Sequence, residues 1–250
     1  MESSMKLITD SIRTILTVCL IGIIIATLFT ISPPPGLPSG SFSQKISEAI
    51  GAANTATPEW PTPTARPRPV IGIVVGHWGD DNDPGAVCAD GLTELSVNQE
   101  VATLVQQGLQ SEGFDVDLLK EFDQKLNNYQ GQLLISIHAD SCEYINPEAT
   151  GFKVAASLDS PRPDKTARLT ACLRKRYQDT TQLTVHNSIT PDMSSYHAFD
   201  EIDDDTPAVI IETGFLNLDR QLLTQQPELV AKGIIDGILC YIYNEDISSP

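Results

Sequence analysis

The sequence predicts an α/β sandwich: one sheet with helices on both faces, folded as a single domain behind an N-terminal membrane helix. Three observations predict it. Apolar runs at 70–75, 133–138 and 207–211 are continuous rather than alternating, as in strands buried on both faces. Segments at 94–113, 164–178 and 226–243 carry apolar residues at helical spacing. Strands that alternate with helices pack as a sheet with helices against it.

The elements follow in order. Val70 to Val75 is the first buried strand. Glu94 to Gly113 is an amphipathic helix with Val97, Val101, Leu104, Val105 and Leu109 inward, and Gly113 ends it. Phe114 to Leu119 is a strand with period-two character, Leu133 to His138 a buried one, and Gly151 to Ala156 a fourth. Asp164 to Gln178 is a helix that places Leu169, Cys172, Leu173 and Tyr177 on one face. Pro207 to Ile211 is a short buried strand, and Gln226 to Tyr243 a closing helix with Val230, Ile234, Ile238 and Ile242 inward.

What precedes residue 70 differs in kind. Residues 14–31 are uncharged and mostly Ile, Leu, Val and Thr, long enough as a helix to span a bilayer core. Lys6 and Arg13 precede this run and no basic residue follows until Lys45, so residues 1–13 are expected in the cytoplasm and the rest outside. An uncleaved signal anchor is the expectation. A cleaved signal peptide is the competing reading, and it too exports the chain. Residues 32–69 hold nine of the 17 prolines and read as an extended linker. Residues 70–250 then form one domain, with no internal repeat and no second linker. The net charge of −17 is concentrated there, which argues against a nucleic-acid partner. Asp203-Asp204-Asp205 reads as a solvated loop.

Four segments carry the chemistry: Gly76-His77-Trp78-Gly79, Thr93-Glu94-Leu95, Ser136-Ile137-His138-Ala139 and Ile211-Glu212-Thr213-Gly214. In open α/β sheets ligands gather at the carboxyl ends of strands. His77 follows the first strand, His138 ends a second, Glu212 ends a third, and Glu94 opens the first helix on the same rim. Each has an ordinary alternative: a histidine at a strand end is commonly a hydrogen-bonded core residue, and a glutamate at a helix start a partner of the macrodipole. Glu212, directly after Ala208-Val209-Ile210-Ile211, is harder to set aside, because a buried carboxylate needs a partner or a task. Two histidines and one carboxylate form a known set for catalytic zinc, and a second carboxylate can serve as base. The long, irregular spacing excludes a zinc finger or ribbon.

These residues resemble the zinc-dependent N-acetylmuramoyl-L-alanine amidases of the type-3 family over essentially the whole domain, from Val70 to Tyr243. The family's glycine-histidine turn and following D-P-G-A match Gly76-His77-Trp78-Gly79 and Asp83-Pro84-Gly85-Ala86. Its glutamate ahead of V-N matches Glu94 with Val97-Asn98. Its S-I-H-A element matches Ser136 to Ala139, and its P-A-V-x-x-E-x-G-F element matches Pro207 to Phe215. The resemblance implies zinc bound by His77, Glu94 and His138, Glu212 as catalytic acid/base, and a twisted mixed sheet of about six strands. It also implies cleavage of the peptidoglycan amide between N-acetylmuramic acid and L-alanine. Three positions depart from the family: Val74-Val75 stand in place of Asp-Pro, Trp78 in place of glycine and Asp140 in place of asparagine. No long insertion lies between Ala139 and Gly151.

The expected cofactor is therefore zinc and the expected partner peptidoglycan, with membrane contact through residues 14–31 and no partner protein inferable. The domain is expected outside the cell membrane, in periplasm or cell wall. Trp78 is expected to line the substrate groove, and His197 to contact glycan or stabilise an oxyanion. A wall-binding module without activity and a metallopeptidase acting on wall peptides are the alternative functions.

Cys19 falls in the membrane segment, which leaves Cys88, Cys142, Cys172 and Cys240 in an exported domain, where disulfides persist. If His77, Glu94 and His138 meet at one ion, the loops holding Cys88 and Cys142 lie side by side. A Cys88–Cys142 disulfide is expected; either thiolate as a zinc ligand is the rival. Cys172 and Cys240, on inward helix faces, are expected as buried free thiols.

Overall fold

The computed structural model describes residues 70–79 and 82–247. The chain divides into two units, Met1–Ala65 and Arg66–Pro250. The expected membrane helix at 14–31 and nearly all of the linker fall in the first, and both lie outside the described residues. Among the described residues, no helix is long and apolar enough to cross a membrane.

The elements run β1 Val70–Val75, α1 Glu94–Ser111, β2 Asp115–Lys120, a 3-10 turn Gln124–Leu126, β3 Leu133–Asp140, β4 Lys153–Ala155, α2 Pro163–Thr181, α3 Pro191–Ser194, α4 Ala198–Glu201, β5 Ala208–Phe215, α5 Arg220–Gln225 and α6 Pro227–Ile242. The sheet has five strands in the order β2-β1-β3-β5-β4, rather than the expected six. Four strands are parallel, and β4 runs antiparallel to β5, so the sheet is mixed.

Alternation along each strand separates two cores. Ile71, Ile73 and Val75, Leu133, Ile135 and Ile137, and Val209 and Ile211 face a core shared with α1, α2 and α6. Val74, Leu134, Ala155, Ala208 and Ile210 face the other, which is closed by Leu126, Met193, Tyr196 and Ala198 from the 3-10 turn, α3, the α3–α4 loop and α4. Helices thus lie on both faces, as expected, but unevenly. All three long helices pack on one side, and only short helical pieces cover the other. The 12-residue connection between β2 and β3 has room for a single 3-10 turn. The thinner face is where a site can open to solvent.

Boundaries have local causes. Thr93 caps α1, its hydroxyl accepting from Ser96 N at 3.2 Å. The helix ends where the Gly113 and Phe114 N–H groups bond back to Gln110 and Leu109. Strand β5 does not stop at Ile211 but runs through Glu212 to Phe215. Thr213 is β-branched and wholly buried, and its hydroxyl donates to the His138 carbonyl at 2.9 Å, which holds the extension in the sheet.

Two disulfides are present. Cys88–Cys142 joins the loop before α1 to the loop after β3, with Cα atoms 5.3 Å apart, as expected. Cys172 and Cys240 are also bonded, Cα to Cα 5.7 Å, which corrects the expectation of free thiols. Their helices α2 and α6 pack directly on one another and bring the two inward faces together.

Candidate metal centre

The site grows from three strand ends. β1 turns sharply at Gly76, whose N–H donates to the Ile137 carbonyl at 3.0 Å. A Cβ at Gly76 would lie 2.4 Å from the His138 ring, so only glycine lets these two strands close up. His77 follows with φ 63°, in the left-handed region, which costs a non-glycine residue about 1–2 kcal/mol. The conformation aims its ring at Glu94: His77 Nε2 lies 3.1 Å from Glu94 Oε2. Its Nδ1 faces Asp83 Oδ2 at 2.9 Å.

Glu94 enters from the first residue of α1. Its Oε1 is 3.1 Å from His138 Nδ1 and accepts the Ala139 N–H at 3.2 Å; its Oε2 accepts the Ala86 N–H at 3.1 Å. Gly85 makes this approach possible. Its φ is +65°, and a Cβ there would lie 2.5 Å from Glu94 Oε2 and 2.6 Å from the His77 ring. Asn98, one helical turn beyond Glu94 and fully buried, donates to the Gly76 carbonyl at 3.2 Å and to Glu94 Oε1 at 3.4 Å.

His77, Glu94 and His138 each offer a ligand atom, and these atoms lie within 4.8 Å of one another. Two imidazoles and a carboxylate converging this closely suit a divalent transition metal. Electrostatics agree. Burial alone would raise the Glu94 pKa, but hydrogen bonds and charge from His138 and His77 hold it well below the carboxylate range. Burial would lower the His77 pKa, yet Glu94, Asp83 and Glu121 raise it to about 9. His138 is raised as well, against its own burial, by Glu94, Glu212 and Glu121. Three acids crowded around two imidazoles attract positive charge.

Glu212 sits beside this cluster. It is the register partner of His138 in β3 on one side and of Lys153 in β4 on the other. The three occupy one row on the thin face of the sheet. The Glu212 side chain is partly buried, and its Oε2 is shielded from solvent without a hydrogen-bond partner. Burial pushes its pKa up to about 7, with Glu94 and Asp140 adding to the rise against His138 and Lys153.

Residues 71–240 match the family model described as N-acetylmuramoyl-L-alanine amidase. The chain belongs to the N-acetylmuramoyl-L-alanine amidase family. It is accordingly a hydrolase of the amide bond between N-acetylmuramic acid and L-alanine in peptidoglycan. No curated protein matches the chain. Solved structures share the fold. The CwlD amidase of Clostridioides difficile, solved with the GerS lipoprotein, is 21% identical with a TM-score of 0.56, covering 70% of this chain and 99% of that one. The catalytic domain of CwlV from Bacillus (Paenibacillus) polymyxa is 24% identical with a TM-score of 0.53, covering 70% and 98%. AmiC2 of Nostoc punctiforme is 21% identical with a TM-score of 0.53, covering 70% and 97%.

The remaining expected residues of this amidase are placed as follows. Trp78 packs half-buried against the helix-side core. The pocket beside the metal cluster is lined by His77, Gly79, Asp83, Glu121 and Phe122. His197 is half-buried near its rim, with Nδ1 2.8 Å from Glu201 and its ring stacked on exposed Phe122 at 4.4 Å.

Sequence reasoning missed Asn98, Glu121 and Lys153. Asn98 stands on the apolar face of α1, a polar residue where the helical pattern calls for a hydrophobic one. Glu121 directly follows β2, on the same rim of strand ends as the residues that were identified. Lys153 is buried, paired with Asp140 and 5.0 Å over the Phe215 ring. That ion pair gives Asp140, which departs from the family pattern, a partner of its own.

Proposed function

We propose that this amidase depends on one zinc ion held by His77, Glu94 and His138, with Glu212 as general acid and base. The chemistry such an ion supplies is polarisation of the scissile carbonyl and acidification of a water. Glu212 takes the proton of the attacking water and returns it to the departing L-alanine amine. Asp83 and Asn98 orient ligands from behind, through His77 Nδ1 and through Glu94. The rim stack of Phe122 on His197 offers an aromatic surface for a sugar ring.

The observation that carries the proposal is Glu212: a partly buried carboxylate whose solvent-shielded Oε2 has no hydrogen-bond partner, beside a proposed ligand histidine and with a pKa of about 7. A base poised near the working pH both accepts and returns a proton efficiently.

The proposal extends to location. Residues 14–31 anchor the chain in the cell membrane, residues 32–69 space the domain from it, and the domain works outside, where peptidoglycan lies. Cleavage after the apolar run would instead release it.

Digestion of purified sacculi tests the reaction. Wild-type protein with zinc releases intact stem peptides bearing a free L-alanine amino terminus, and Glu212→Gln releases almost none. Fragmented peptides would instead indicate a peptidase, and binding without release a wall-binding module.

A further inference from the structure

Glu121 is buried, its backbone N–H donates to the Trp78 carbonyl at 2.9 Å, and the metal reading so far gives it no task. Its surroundings are those of a designed site. One carboxylate oxygen accepts the backbone N–H of His77, at the left-handed turn. The other accepts the Tyr196 hydroxyl at 3.4 Å. Burial, together with Glu121, raises the Tyr196 pKa, so that hydroxyl keeps its proton.

The histidines define what Glu121 faces. Each gives one nitrogen to Glu94: Nε2 of His77 and Nδ1 of His138, both at 3.1 Å. The opposite nitrogens face Glu121, His138 Nε2 at 3.7 Å and His77 Nδ1 at 4.0 Å. Glu121 therefore stands behind the ligand set rather than within it. His138 Nε2 is fully buried and has no hydrogen-bond partner at these distances. A buried N–H left unpaired is costly, and a carboxylate is its strongest acceptor.

We propose that Glu121 is a positioning residue of the metal centre, its carboxylate accepting a hydrogen bond from the Nε2–H of His138 and so leaving Nδ1 free to bind the ion. The inference rests on the proposed zinc site. A metal-bound imidazole carries its remaining proton on the far nitrogen, and a carboxylate there fixes ring orientation and strengthens the ligand. The same carboxylate holds the His77 turn, so one side chain orders both imidazoles. Asp83 does the equivalent work behind His77.

The test is zinc affinity of full-length protein, measured by competition with a chromophoric chelator, beside the melting temperature of the zinc-free form. Glu121→Gln keeps an oxygen for the His77 N–H but loses the charge. It is expected to bind zinc about 10- to 100-fold more weakly, with zinc-free melting unchanged. Nitrogen-15 NMR of zinc-loaded wild type supplies a reading that needs no variant: the His138 proton is expected on Nε2, with Nδ1 coordinated. Wild-type affinity in folded Glu121→Gln, or Nε2 coordinated in wild type, overturns the proposal. A wild type that takes up no zinc would instead defeat the metal centre itself.

Discussion

Glu212 and His138 are register partners on adjacent parallel strands, so a carboxylate with a solvent-shielded, unpartnered oxygen lies directly beside an imidazole of the candidate metal cluster. Parallel pairing fixes this neighbourhood: the β3–β5 register that buries Ile135 and Val209 on the helix side also places both polar groups on the thin side. A slip of one residue in β5 would turn Glu212 toward the helix-side core and away from His138. The proposed ligand and base therefore come from the same register that builds the hydrophobic core.

Glu212→Gln should leave the fold and zinc content intact and lower kcat at least about 10²-fold, the range for a positioned acid/base. In wild type, kcat/KM should fall on the acid side as Glu212 protonates. Its pKa is about 7 without metal, and a cation beside it favours the carboxylate, so the midpoint should lie below that value. A pH–rate profile on soluble glycan-peptide checks both.

Zinc uptake should release protons. His77, with a pKa of about 9, is protonated in the metal-free protein at pH 7, the His138 pKa is raised in the same direction, and a ligating imidazole must be neutral. Calorimetry in buffers of differing ionisation enthalpy should therefore show net proton release on binding. The same shifts govern metal-free stability. The raised His77 pKa contributes stability fully present below its unfolded value of about 6.5 and lost as pH rises through about 9. The depressed Glu94 pKa contributes stability present above about 4.5 and lost only in stronger acid. Metal-free protein should thus melt highest between these limits, as thermal scans across pH would reveal.

Gly85→Ala should abolish zinc binding more completely than it destabilises the fold. Its Cβ would press on Glu94 and His77 together and would require the left-handed backbone. Chelator competition and melting curves separate the two effects.

The two disulfides should behave differently. Each closes a loop of more than 50 residues, worth roughly 4 kcal/mol in the chain-entropy model. Cys88→Ser should cost stability and also weaken zinc binding, because the bond ties the loop before Glu94 to the loop after His138. Cys172→Ser should cost stability alone, since α2 and α6 contribute no residue to the site. Denaturant melts with parallel zinc titrations distinguish them.

Much of this was legible in the sequence, for identifiable reasons. Continuous apolar runs marked β1, β3 and β5, and the rule of carboxyl ends brought His77, His138 and Glu212 together. The proposed meeting of His77 with Glu94 and His138 led directly to the Cys88–Cys142 bond. The side of the sheet each helix occupies was not legible, because helical periodicity shows which face is buried and not against what. For the same reason the pairing of Cys172 with Cys240 was hidden: each lies on an inward face, but only packing shows that the two faces meet. Glu121 escaped notice because β2 is half-exposed along its length and reads as an ordinary edge strand, although its end reaches the same rim. Strand β5 was cut short at Glu212 because a charge looked like a boundary, when it lies within the strand as part of the site.

The most direct test of the metal centre is anomalous diffraction at the zinc edge from crystals grown with equimolar zinc. The account predicts one strong peak per chain, about 2.0–2.2 Å from a nitrogen of His77, a nitrogen of His138 and an oxygen of Glu94, with Glu212 beside it and not bonded to it. No peak, or a peak bonded to Cys88 or Cys142 or lying away from these three residues, would contradict it.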